Sequence, residues 1–239
     1  MESHKIIMNK MFKKIKVEDL LGRNLNEVER NYEPPFIFIA GKMEIPIIKG
    51  KISVVGTRNP SQEGIKIARY ISKQIVKNDL IVVSGLARGI DTVAHMTAIE
   101  NKGNTIAVLG TPLEKFYPKE NEELQKEIMK NHLAVSQFSP ESSVEKSNFI
   151  RRNRLMALIS DATIIVEAGI RSGTISQGWE TLRLGRTLYI WETLFDKVDW
   201  AKEMEKYGAM RLNMENLTDI LEEIKQVSNI KINEIQILQ

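Results

Sequence analysis

Short apolar runs alternate with longer segments in which apolar residues recur every three or four positions. Lys51–Val55, Leu80–Val83, Thr105–Leu109 and Ala162–Val166 are β-rich runs of the kind found in strands buried on both faces of a parallel sheet. Helix-period segments lie between them. At 62–77, Ile65, Ala68, Ile71, Ile75 and Val76 form an apolar stripe, with Ser61 placed as N-cap. Thr92–Lys102 is a second helix, closed by Gly103, and Asn121–Lys130 a third, charged on its outer face. Ala134–Ser136 reads as a short strand and Ser139–Asn148 as a polar loop. The stretch from Phe149 to Trp191 then strings together a helix, the strand at 162–166, a Gly/Ser/Thr turn, a second helix and a second strand. This alternation predicts an α/β fold, a doubly wound and mostly parallel sheet in a single main domain.

The ends are less regular. Val17–Val28 has the pattern of a short helix, and the first dozen residues are expected to be mobile. Tyr32-Glu33-Pro34-Pro35 marks the entry to the main domain, because Pro-Pro does not continue a helix, and Phe36–Gly41 reads as an edge strand. After Trp191, 196–206 and 216–227 read as helices. Residues 229–239 alternate Ile with polar groups, which fits a terminal strand, an oligomer contact or a tail. The expected division is a short N-terminal extension (1–31), the main domain (32–228) and a C-terminal tail (229–239).

Composition narrows the chemistry. Of 239 residues 42% are hydrophobic, enough for one large α/β core, and the net charge of +3 is too small to identify a nucleic-acid binder by itself. With no cysteine, the chain has no disulfide, no Cys–zinc site and no thiol nucleophile. His4, His95 and His132 lack metal-ligand spacing, so neither a metal nor a cofactor is expected. No apolar run approaches the roughly 20 residues of a membrane span, and the N-terminus lacks a signal-peptide core; a cytoplasmic location is the expectation.

Candidate chemistry gathers in the strand-to-helix loops, at the carboxyl edge where open α/β sheets bind ligands. After the first core strand come Gly56 and Arg58, read either as a close-approach glycine with an anion-binding cation or as a plain turn with a solvated arginine. After the second come Ser84, Gly85 and Arg88, with Asp91 as a cap or loop brace and His95 as a partly buried histidine bonded to loop backbone. After Ala162–Val166 come Glu167 and then Arg171-Ser172-Gly173-Thr174, a turn whose N–H groups, hydroxyls and following helix dipole favour an anion. Arg151, Arg152 and Arg154 lie just upstream. Phosphate recognition, of nucleotide or nucleic acid, is the expectation.

Taken together, GTRNPS at 56–61, SGLARGIDTVAH at 84–95, AVLGTPLEKFYP at 107–118, FIRRNR at 149–154 and EAGIRSGT at 167–174 resemble the DNA-processing protein A (DprA/Smf) family in order and spacing, over roughly 32–225. The resemblance implies an extended Rossmann-like fold, binding of single-stranded DNA, a homodimer and transfer of the strand to a RecA-type recombinase during natural transformation. A non-specific strand site needs cations for phosphates and π-faces for bases. Arg58, Arg88, Lys146, Arg151 and Arg152 are the candidate cations, and Lys146 with Phe149 matches a DNA-contacting Lys/Phe pair of some members. Phe149 either stacks on a base or anchors the following helix. Asn153 and Arg154 are read as braces, Arg154 through a buried acid such as Glu167. Two departures stand out: the N-terminal helical domain is absent or much reduced, and ISQGWE at 175–180 stands where the family has small residues, so Trp179 and Glu180 could alter the pocket or a dimer surface.

Two other functions compete. The same stretch is distantly similar to LOG-type nucleotide phosphoribohydrolases, with Arg152 and Met156 fitting their arginine segment. However, Gln177 stands where their turn carries a catalytic glutamate, and a neutral amide is no substitute for it. A nucleotide-sensing module would use the same anion loops without catalysis. The expectation is a binding protein and not an enzyme.

Overall fold

The computed structural model describes residues 12–237, with side chains described as far as Ile230. Its strands are β1 (Lys13–Ile15), β2 (Ile37–Gly41), β3 (Lys51–Val55), β4 (Ile81–Ser84), β5 (Thr105–Leu109), β6 (Leu133–Ser136), β7 (Ala162–Ile165), β8 (Thr187–Trp191) and β9 (Met210–Leu212). They form one sheet in the order β1-β2-β6-β5-β4-β3-β7-β8-β9. β1–β2 and β2–β6 pair antiparallel, and every other pair is parallel. The helices are α1 (Val17–Leu21), α2 (Glu27–Arg30), α3 (Gln62–Lys77), α4 (Ile90–Glu100), α5 (Glu122–Asn131), α6 (Lys146–Ile159), α7 (Thr174–Arg183), α8 (Leu194–Lys197), α9 (Asp199–Glu205) and α10 (Leu217–Ile237).

Strand side chains alternate between two cores, so both faces of the sheet are covered. Ile52, Val54, Val82 and Ile164 pack with Ile67, Ala68 and Ile71 of α3, Ala94 and Ala98 of α4, and Leu217 and Leu221 of α10. Val55, Ile81, Val83, Ile106 and Ile165 point the other way, to Leu155 through Ile159 of α6 and to Val17 and Leu20 of α1. The expected doubly wound α/β fold is therefore observed. From β3 the chain winds outward through β4, β5 and β6, then crosses by α6 to β7 on the opposite side of β3. The loops after β3 and β7 diverge there, and that switch point is where an open α/β sheet leaves a crevice.

Several boundaries move. The segment 17–28 is two helices: Gly22 closes α1 in the left-handed region (φ 66°), and Asn26 caps α2 by accepting from the Glu29 N–H at 2.9 Å. β2 is not an edge strand, because β1 covers it. The stripe of α3 turns on Ile67 and not on the half-buried Ile65. α4 starts two residues earlier than its sequence pattern predicts and ends two earlier. Lys102 (φ 59°), not Gly103, is its left-handed residue, while the Gly103 N–H reaches back to the Ala98 carbonyl at 2.9 Å. The polar loop after β6 ends at Glu145, since Lys146 already opens α6. Val198, in extended conformation, splits the segment 196–206 into α8 and α9. Residues 229–237 continue α10 and form no strand. The expectation for residues 1–11 lies outside the described residues.

Candidate functional site

The loops at the carboxyl ends of β3, β4, β5 and β7, together with the N-terminal turns of α6 and α7, enclose a cleft of about 810 Å³. Gly56, Arg58, Lys146, Phe149, Arg152, Arg171, Ser172, Gly173 and Thr174, from three separate places in the sequence, all line it. A smaller pocket of about 220 Å³ adjoins it, sharing Arg58, Tyr117, Phe149 and Arg152, and adds Gly85 and Arg88.

The cations divide into two kinds. Arg58, Lys146 and Arg171 are exposed, and among the described residues none has a carboxylate oxygen within 4 Å. Arg152 is different. It is 6% exposed; Nη1 donates to the Gly85 carbonyl and, at 3.0 Å, to the Val108 carbonyl, while Nε donates to Asn153 Oδ1 at 3.0 Å. A Cβ on Gly85 would lie 1.7 Å from Nη1, so only glycine lets the guanidinium sit against that loop. Arg152 is thus a brace between the β4 loop and the end of β5 as well as a wall of the cleft, not the exposed phosphate cation expected from its place in the basic run. Burial lowers its pKa, and Asp91 works against that shift.

Two candidates, Ser84 and Arg151, are placed elsewhere, and a third, Arg88, is occupied. Ser84 is sealed in the core, its hydroxyl donating to the Val54 carbonyl at 2.7 Å, because the strand continues one residue beyond its apolar run. Arg151 points away from the cleft, over the Phe138 ring at 5.3 Å. Consecutive helix positions project about 100° apart, so Arg151 and Arg152 cannot share a face. Arg88 is ion-paired with Glu120.

The braces sit behind the cleft. Asp91 accepts from the Gly85 and Ala87 N–H groups at 3.2 and 3.3 Å; burial pushes its carboxyl up, and Arg152 and these amides oppose that. His95 is fully and not partly buried, with Nδ1 2.7 Å from the hydroxyl of Thr105 in β5 and the Ser84 backbone beside the ring. Burial, then the nearby His132 and Arg152, lowers its pKa to about 3, so it is neutral at physiological pH. Asn153 Nδ2 donates to the Gly173 carbonyl at 3.3 Å. Glu167 does not meet Arg154. Its carboxylate accepts from the Ser61 N–H at 3.0 Å and hydroxyl at 3.1 Å, tying the β7 loop to the N-terminus of α3. Arg154 pairs instead with the buried Glu180 at 3.1 Å, one helix away. Glu180 therefore belongs to the α6–α7 packing and not to the cleft.

The turn before α7 is ordered by its hydroxyls. Ser172 Oγ donates to Thr174 Oγ1 at 2.9 Å, and Thr174 Oγ1 donates to the Gly56 carbonyl at 3.0 Å, which fastens the β7 loop to the β3 loop. No acidic residue occupies the first turn of α7 to offset its dipole, but Ser172 takes the first two N–H groups, that of Thr174 donating to Ser172 Oγ at 3.2 Å and that of Ile175 to the Ser172 carbonyl at 3.1 Å.

Phe149 is half-buried and belongs to none of the hydrophobic cores. Its ring lies over Gly110, where a Cβ would meet Cδ1 at 2.6 Å, and packs against Tyr117 with centroids 5.4 Å apart. Tyr117 is 48% exposed and lines both pockets. Tyr117 is absent from the candidates above, although the sequence carries its signal: an aromatic residue flanked by Pro118 in a strand-to-helix loop at the carboxyl edge. Gln177, considered above only as the replacement of a catalytic glutamate, lines the larger cleft as well.

Comparison with known proteins agrees with this architecture. A family model described as DNA recombination-mediator protein A matches residues 17–227. The DNA processing protein DprA of Streptococcus pneumoniae is 38% identical over 174 residues, covering 72% of this chain and 60% of that protein. The chain thus spans about three fifths of that relative's length. The X-ray structure of Streptococcus pneumoniae DprA superposes with a TM-score of 0.72 at 31% identity, over 89% of this chain and 75% of that one. A structure of DNA processing protein A from Helicobacter pylori superposes with a TM-score of 0.73 at 24% identity, over 89% of this chain and 96% of that one.

Proposed function

This chain belongs to the DNA recombination-mediator protein A family, and from that premise we propose that it binds single-stranded DNA along the cleft at the β3/β7 switch point. The observation that carries the reading is the meeting, in one cleft, of cations that have no carboxylate partner among the described residues and the Tyr117–Phe149 ring pair. Arg58, Lys146 and Arg171 meet the phosphates, with the N-terminus of α7 as a further anion seat. The two rings offer π-faces to bases in any sequence. The Helicobacter pylori neighbour's description names a single-stranded DNA binding mode, which is in keeping with this reading.

The chain acts in DNA processing, natural transformation or recombination, protecting the strand and passing it to a RecA-type recombinase, as a homodimer in the cytoplasm. Its task is binding and not bond cleavage. His95 is neutral and sealed, and Asp91 is committed to loop amides.

Fluorescence anisotropy of labelled oligo-dT, a matching duplex and thymidine monophosphate across a salt series tests this. The expected result is preference for the single strand, affinity that falls steeply with salt, and a loss of about tenfold in each of Arg58→Ala and Phe149→Ala. Mononucleotide binding without strand binding overturns it.

A further inference from the structure

Gln177 is the fourth residue of α7, one turn in from the end that faces the cleft. It is 1% exposed, and among the described residues neither Nε2 nor Oε1 has a hydrogen-bond partner. Buried amides in folded proteins are almost always paired, because leaving one dry is unfavourable. Rules broken in this way are broken most often at functional sites. The residue lines the larger cleft, beside Asn153, Ser172 and Thr174.

The neighbouring polar groups cannot take the amide over. Thr174 Oγ1 is engaged by Ser172 and by the Gly56 carbonyl, and Asn153 Nδ2 by the Gly173 carbonyl. A Cβ on Gly173 would meet nothing within 4 Å, so the space before the helix is open. Lys146 and Arg171, which like Arg58 have no carboxylate partner among the described residues, line the same cleft. The only carboxylate lining it among the described residues, Asp91, is buried and hydrogen-bonded. The ligand this arrangement fits is a phosphate group, with its charge met by the helix end and the cations and one oxygen met by an amide N–H.

We propose that Gln177 is the positioning residue for a phosphate group seated at the N-terminus of α7: its amide, sealed from solvent in the empty chain, turns toward the cleft to donate from Nε2 to a non-bridging oxygen. The inference rests on the strand-binding reading for its biological ligand, but the seat itself requires only a phosphate, carried by a strand or by a free nucleotide. It makes Gln177 a residue that lowers stability in the empty chain and raises affinity in the occupied one.

The test pairs two measurements on Gln177→Met, which keeps the length of the side chain and removes its polarity, and on Gln177→Leu. Thermal unfolding without ligand is expected to rise by about 2–5 °C in the better packed of the two. Calorimetric affinity for oligo-dT and for thymidine monophosphate is expected to fall about fivefold, and that for thymidine, which lacks the phosphate, to stay unchanged. Opposite signs in the two measurements are what a purely structural glutamine does not produce. Lower melting temperatures in both variants, or unchanged phosphate-dependent affinity, overturn the proposal. Wild-type binding of thymidine monophosphate without oligo-dT sinks the strand reading and leaves the seat standing. Strand binding that is insensitive to both variants does the reverse.

Discussion

The two ends of the sheet are both rich in arginine and lysine, and they use them differently. At the amino ends of β3, β7 and β8, Arg23, Lys51 and Arg186 surround Glu29 and Asp161. Glu29 is fully buried, bound by Arg23 at 2.7 Å and by Arg186, and Lys51 lies 3.5 Å from Asp161. At the carboxyl ends, Arg58, Lys146 and Arg171 face open space with no carboxylate within 4 Å among the described residues. The paired cations hold the α1–α2 segment to the sheet, whereas the unpaired ones are left for a ligand. Charge by itself does not mark a site; charge whose counterion the fold withholds does.

If that contrast is right, the largest effect comes from the paired end. Glu29→Ala leaves two guanidiniums facing each other and is expected to lower stability by about 2–4 kcal/mol, discounted because both arginines are partly exposed. Urea denaturation reads this, while the strand affinity of the folded fraction stays within about twofold of wild type.

Acid titration sharpens the same point. Burial opposes ionisation of Glu29, but the hydrogen bonds from Arg23 and the Asn26 N–H and the charge of Arg186 outweigh it and hold the pKa at about 2. A folded-state pKa below the unfolded one stabilises above the unfolded value, near 4.5, and that contribution is lost as pH falls toward 2. Wild type is expected to lose stability across this window, and Glu29→Gln to show a shallower loss there. Equal slopes would mean that the carboxylate is not bound as the geometry has it.

At the unpaired end the effects are on binding and not on folding. Lys146→Ala and Arg171→Ala are each expected to lower strand affinity several-fold and to reduce the slope of log affinity against log salt by about 0.7, one phosphate contact apiece, with melting temperature unchanged. The smallest effects belong to cations that are near in sequence but occupied elsewhere. Arg151→Ala, stacked over Phe138, and Arg88→Ala, paired with Glu120, are expected to change affinity less than about twofold. A loss at Arg151 as large as that at Lys146 would break the rule drawn from the comparison.

The fold was largely legible because its determinants are local. Val54 and Val55 are neighbours that face opposite cores, which is why β3 reads as an unbroken apolar run and not as an alternating one. Ser61 caps α3 by accepting from the Gly64 N–H at 3.0 Å, three residues on. The family resemblance supplied the order of the loops. The errors fell where a partner distant in sequence decides. β2 reads as an edge strand until β1 pairs with it, and Arg154 seeks an acid that only the packing of α6 on α7 identifies as Glu180.

The chain by itself therefore determined the strand–helix alternation, the carboxyl-edge placement of the anion loops and the residue types gathered there, because hydrophobic period and turn chemistry act over a few residues. Only the tertiary structure decided which of those residues are available. Ser84, Arg151 and Arg152 have the same composition-level credentials as Ser172, Lys146 and Arg58, but a core carbonyl, an aromatic ring and two backbone carbonyls already engage them. The same holds for Gln177, whose unpaired amide is visible only once the helix is folded against the cleft. Whether a polar group is satisfied depends on atoms brought together across more than a hundred residues, and no local pattern in the sequence encodes that pairing.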